Sequence, residues 1–268
     1  YRDVAVVIDP KDYDLIIEEI KECGNISLKT KYKLALKVFE HTAQYDTMIS
    51  TYLRSRLEED EMPQKISLTY EKISDLRYGE NPHQRAAFYK EVIPTKGALT
   101  EAEQLHGKEM SFNNINDANG ALDLLKEFQE PTVIGVKHTN ACGVGTGIDI
   151  YDAYMKAYES DPMSIFGGII AANRKIDARV AEEINKIFIE IVIAPDYDED
   201  ALEILTKKKN IRVLKLENID KPLCDNYFDI KRVNGGILIQ DGNKKLFDEC
   251  KVVTERIPSE KEMKDLEF

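Results

Sequence analysis

No run of apolar residues in this chain approaches the roughly 18 needed to cross a bilayer. A surplus of cation is missing too: 37 Lys and Arg stand against 49 Asp and Glu, a net charge of −12 over 268 residues. Broad nucleic-acid binding relies on clustered Lys and Arg that neutralise phosphates, so this balance disfavours it, while leaving room for a small anion in a local pocket. Cysteine is scarce. Cys23, Cys142, Cys224 and Cys250 are widely spaced and form no C-x-x-C pair, which argues for reduced thiols and against a cysteine zinc site. The opening Tyr1-Arg2-Asp3-Val4 lacks the features of a signal peptide, so a cytoplasmic protein without a membrane partner is expected. No internal repeat or low-complexity segment is evident. What is present is ordinary for an α/β chain: 43% hydrophobic and 32% charged residues, long enough to bury a substantial core.

Val4–Ile8 is a short β-rich apolar run broken by Asp9-Pro10, and Tyr13, Ile16, Ile17 and Ile20 then recur at helical spacing. A strand followed by a helix is expected there, ending at Cys23-Gly24-Asn25. From Ser27 to about Glu61 an apolar face including Leu34, Val38 and Phe39 predicts one long helix. The acidic run Glu58–Glu61 ahead of Met62-Pro63 reads as a solvated linker, with a domain boundary near 58–66. Beyond Pro63 strands and helices alternate. Strands are expected at 86–89, 132–136, 164–172, 189–194, 211–216 and 236–240, and helices near 117–129, 149–159, 177–187 and 198–208. That alternation predicts an α/β layer architecture. Ser259 followed by Glu262 opens a last helix with a capping box. The chain reads as cut at both ends.

Two segments carry most of the chemistry. Residues 77–84, Arg77-Tyr78-Gly79-Glu80-Asn81-Pro82-His83-Gln84, gather a cation, a phenol and several polar side chains around one proline. Lys137-His138 follows the strand-like run 133–136, and loops at the carboxyl ends of strands are where open α/β sheets bind ligands. An imidazole there suits a general base, and an adjacent ammonium suits a developing oxyanion or an anionic group. A solvated Lys and a structural His remain the plain alternative. The glycine run 142–147 fails the G-x-G-x-x-G fingerprint, and its glycines are expected to let backbone approach a ligand or another loop. Phe166-Gly167-Gly168 sets a ring beside exposed amides, a flank for a planar heterocycle, or else is a core Phe and a bulge. In the run 111–117, Asn116 or Asp117 is the expected N-cap, and one of three asparagines is available for a ligand. Glu190, alone in the apolar run 187–195, needs a partner if buried; a ribose diol would supply one.

Taken in order, RYGENPHQ, FNNINDA, VKHTNACG, DPMSIFGGIIA and IVIAPDYDEDALEIL resemble the bifunctional purine-biosynthesis family that joins 5-aminoimidazole-4-carboxamide ribonucleotide (AICAR) formyltransferase to IMP cyclohydrolase. The resemblance implies an enzyme that transfers a formyl group from 10-formyltetrahydrofolate, its co-substrate, to the 5-amino group of AICAR, the parent protein also closing the ring to IMP. It implies His138 as proton acceptor, Lys137 as oxyanion stabiliser, and Arg77, Tyr78, Asn114, Phe166, Gly167 and Glu190 as substrate contacts, with no metal. The fold implied is a cytidine-deaminase-like three-layer module, the first half of the transformylase domain, over 66–268. A helix and linker (26–65) and the tail of the cyclohydrolase domain (1–25) precede it. The deaminase zinc signature, H-x-E with P-C-x-x-C, is not found in the chain, so deaminase-type hydrolysis is a poor reading. A homodimer is implied, with the site formed across it. A fragment that binds substrate or dimerises without turnover is the alternative.

Overall fold

The computed structural model describes residues 1–57, 62–221, 228–243 and 250–267. The acidic run 58–61 and Cys224 lie outside the described residues. The chain divides into two compact units: residues 1–94 with 109–115, and residues 95–108 with 116–268.

In the first unit, α1 (Tyr13–Cys23) ends where Gly24 turns left-handed at φ 68° and its N–H donates to the Ile20 carbonyl. The expected strand at 4–8 does not form among the described residues. Val4 and Val6 are exposed, and an extended run becomes a strand only when a neighbour takes its hydrogen bonds. Helix α2 (Leu28–Arg54) is capped by the Ser27 hydroxyl, which accepts from the Thr30 N–H, and it ends several residues before Glu61. Strands β1 (Tyr70–Leu76) and β2 (Ala86–Glu91) form an antiparallel pair around the loop 77–85.

The second unit holds β3 (Glu103–His106), most of α3 (Phe112–Leu125), β4 (Thr132–Lys137), β5 (Asn140–Thr146), α4 (Ile150–Ser160), β6 (Ile169–Ala172), α5 (Ala178–Lys186), β7 (Ile191–Ala194), α6 (Glu199–Thr206) and β8 (Arg212–Lys215). A separate antiparallel pair, β9 (Phe228–Val233) and β10 (Gly236–Asp241), and a short α7 (Glu260–Glu267) follow. The central sheet has the order β3-β8-β7-β6-β4-β5. Strands β6, β7 and β8 run parallel, joined by α5 and α6 as crossovers, while β4 runs antiparallel to β6. The chain is therefore a mixed α/β protein with a mixed sheet.

Alternation along the strands decides the core. Val133, Ile170, Val192 and Val213 meet α4, α5 and α6 through Ala153, Tyr154, Ile184 and Leu205, all at most 1% exposed. Ile134, Ala171, Ile193 and Leu214, on the other face, are equally closed. Strands buried on both faces read as continuous apolar runs, which is why they were legible. The expected strand at 164–172 shrinks to β6, because residues 161–168 form a turn that leads into it.

Candidate functional site

The glycine run 142–147 lies on β5 and its exit and serves packing. A Cβ on Gly143 would sit 2.0 Å from the Ala157 carbonyl oxygen, and one on Gly145 would sit 2.2 Å from that of Ala153. The glycines thus let α4 lie directly on the strand, and the backbone they admit is a helix, neither a ligand nor another loop.

Five of the residues singled out from the sequence lie at one end of the central sheet. Strand β4 ends at Lys137, which pairs with Asn140, so His138 and Thr139 alone make the turn into β5. Both are left-handed, with φ 56° and 62°. Two-residue hairpins favour such turns because their twist matches the strands, and they usually use Asn-Gly. A side chain costs about 1–2 kcal/mol per left-handed residue, so this turn is held under strain. Its ties are visible: the Thr139 N–H donates to Asp117 Oδ1 at 2.9 Å, and Asn140 Nδ2 donates to the His138 carbonyl at 2.8 Å. His138 itself is exposed.

Because β4 opposes β6, its carboxyl end lies beside the amino ends of β6, β7 and β8. The rule that placed ligands at carboxyl ends holds for parallel strands. Strand β4 is antiparallel to both β5 and β6, so that rule does not by itself place a ligand at its carboxyl end. The loop 161–168 reaches this edge. Asp161 Oδ1 accepts from the Met163 and Ser164 N–H groups at 3.2 and 2.9 Å, and the Ser164 hydroxyl donates to Asp161 Oδ2. These bonds, the hydroxyl's above all, hold the Asp161 carboxyl below its ordinary range. Ile165 is fully buried and pins the loop, leaving Phe166 55% exposed with its ring centroid 5.7 Å from that of Phe188. The core-Phe reading is thereby excluded. Gly167, at φ 75°, donates its N–H to the Phe188 carbonyl at 2.7 Å. Lys137 Nζ donates to the Phe166 carbonyl at 2.9 Å.

Glu190 precedes β7, and its N–H donates to the Gly168 carbonyl at 2.9 Å. Its carboxylate is 38% exposed and lies 3.6 Å from the Arg212 guanidinium, itself 13% exposed. Burial pulls the Arg212 pKa down, and the Glu190 charge opposes that pull. Arg212 was missed from the sequence. Its signal was a cation at the mouth of the apolar run 211–216.

Arg77, Tyr78 and Asn114 belong to the first unit. The Arg77 guanidinium carbon lies 5.8 Å from the Tyr78 ring centroid. The loop that bears them is closed by Gln84, whose carbonyl accepts from the Gly79 N–H at 2.9 Å and whose Oε1 accepts from the Asn81 N–H at 2.7 Å. Asn114 is 6% exposed and answers Ser111: Ser111 Oγ accepts from the Asn114 N–H at 3.2 Å, and Asn114 Oδ1 accepts from the Ser111 N–H at 3.1 Å. Helix α3 thus starts at Phe112, ahead of the expected caps Asn116 and Asp117, because Ser111 already completes a reciprocal box. Among the described residues no group of three His, Cys, Asp or Glu is placed to hold a metal ion, and no helix is long and apolar enough to cross a membrane.

The AICARFT/IMPCHase bienzyme family matches residues 1–268. The chain belongs to that family. It is 60% identical over 270 residues to the bifunctional purine biosynthesis protein PurH of Acetivibrio thermocellus, covering 100% of this chain and 52% of that protein. PurH of Thermoanaerobacter sp. is 55% identical and that of Bacillus cereus 52%, each over 100% of this chain and 52% of the relative. This bienzyme-family chain therefore spans about half the length of the curated relatives it matches.

Proposed function

We propose that this chain carries the base and the oxyanion-binding cation of the formyl transfer from 10-formyltetrahydrofolate to the 5-amino group of AICAR. The observation that carries the reading is the Lys137-His138 pair at the end of β4, in a member of the AICARFT/IMPCHase family. In this reading the AICAR amine attacks the formyl carbon and a C–N bond forms. His138 accepts the amine proton, and the carbonyl oxygen becomes an oxyanion beside the Lys137 ammonium. Collapse breaks the bond to N10 of the folate, which leaves with the proton that His138 took from the amine, and the imidazole is restored to its neutral form. A lysine has three N–H donors, and one already holds the Phe166 carbonyl, so the ammonium is oriented before substrate arrives. Phe166 and the Gly167 backbone would flank the heterocycle and Glu190 would accept from the ribose hydroxyls; Arg77, Tyr78 and Asn114 keep the nucleotide-contact role that the family resemblance implies. The cytidine-deaminase-like module, the three-part domain layout, a cytoplasmic homodimer and closure of the ring to IMP by the parent protein belong to the same proposal.

The test is His138→Ala in the complete protein. A positioned general base contributes about 10²–10⁴-fold; a loss of that size is expected, and formyl transfer near the unmutated rate would overturn the role. The half-length coverage of the relatives favours a second reading for these 268 residues alone, AICAR binding or self-association without turnover. Calorimetry with AICAR followed by a formyl-transfer assay separates the two, since robust turnover by this chain refutes the second.

A further inference from the structure

In a two-residue hairpin the flanking strand residues bond each other, so the N–H of the second turn residue is left outside the ladder. Here that group belongs to Thr139, and it finds the Asp117 carboxylate of α3 at 2.9 Å. One turn along the same helix, Gly120 leaves room for the approach: a Cβ there would stand 3.0 Å from the Thr139 carbonyl oxygen. Two consecutive left-handed residues with side chains, His138 and Thr139, are therefore anchored from outside the hairpin by one helix. The sequence offered Asp117 as a helix cap, and Ser111 has already taken that task.

We infer that Asp117 is a positioning residue for His138: its carboxylate holds the strained turn that presents the imidazole to the reacting amine. The inference rests on the proposed role of His138, and the test keeps the two apart. In the complete protein, Asp117→Ala is expected to lower kcat at least tenfold while the KM for AICAR stays within about twofold. Exchange of the Thr139 amide should accelerate by a similar factor. Adding Thr139→Gly is expected to restore most of the lost kcat, because glycine takes a left-handed φ without strain. A helix merely destabilised by the loss of Asp117 would not be rescued at residue 139. An Asp117→Ala kcat within twofold of the unmutated protein overturns the inference, and so does a loss that Thr139→Gly leaves uncorrected. If Asp117→Ala does not fold, the same comparison, with and without Thr139→Gly, is made with Asp117→Ser, with the same expected and overturning results. His138→Ala serves as control. If it keeps activity, the reading of His138 fails; if it abolishes activity while the Asp117 variants do not lower kcat, only the present inference fails.

Discussion

At Asn173, just beyond β6, one side chain at 3% exposure satisfies three backbone groups. Its Oδ1 accepts from the Thr132 N–H at 2.7 Å, and its Nδ2 donates to the Glu130 and Phe128 carbonyls at 2.7 and 3.3 Å. Asn173→Ala strands the buried Thr132 N–H and is expected to cost about 1–3 kcal/mol, read from denaturant unfolding; a change below about 0.5 kcal/mol would show that water replaces the amide. Arg212 works on a different quantity. Its guanidinium faces the Glu190 carboxylate at 3.6 Å from a largely buried position. Under the proposed nucleotide role of Glu190, Arg212→Gln is expected to weaken AICAR binding about tenfold, or ~1.4 kcal/mol by calorimetry, with little effect on kcat. An unchanged affinity would remove Arg212 from the site.

Elements meet through small residues and shared caps. The face that β5 turns to α4 is glycine, so Gly145→Ala must push a methyl into helix backbone, 2.2 Å from the Ala153 oxygen. Overpacking of this kind costs about 1–3 kcal/mol or more, and a drop in unfolding free energy of that size is expected; a neutral variant would mean that α4 can slide away. At α7 the Glu262 carboxyl is drawn down to about 2 by Arg256 first and then by the Ser259 N–H and hydroxyl. Its folded pKa lies below the ordinary 4.5, so the cap stabilises α7 above about pH 4.5 and is lost as pH falls toward 2. Carboxyl resonances followed by NMR should show that titration, and a midpoint near 4.5 would mean that the box is open in solution. The Ser259–Glu262 box was legible because its signature is local. So were β4, β7 and β8, whose apolar runs are buried on both faces. Strands β1 and β3 were not, since β1 is almost wholly exposed and β3 is a short edge with no periodic face. Strand β5 escaped because its glycines disguise a packed strand as a loop, and the Asn114 cap escaped because an amide here does the work usually given to Glu.

For the whole chain, the best-closed structure is the centre of the mixed sheet, where β6 and β7 are buried at every residue. By contrast α2, the longest helix among the described residues, buries only Thr30 and Leu34. Hydrogen exchange on this chain is therefore expected to be slowest in β4, β6 and β7 and faster through α2; slower exchange in α2 would locate the stable core elsewhere. Reversal of β4 against β6 has one more effect. Helices α4, α5 and α6 lead into β6, β7 and β8, so the edge that bears Lys137, Phe166 and Glu190 receives their carboxyl ends, the negative poles of three helix dipoles. The last turns of α4 and α6 carry no basic residue, and that of α5 carries Lys186 alone. Under the proposed nucleotide role, a phosphate placed at this edge gains nothing from these three poles, so AICAR affinity measured by calorimetry should fall when Lys137 is replaced and as ionic strength rises.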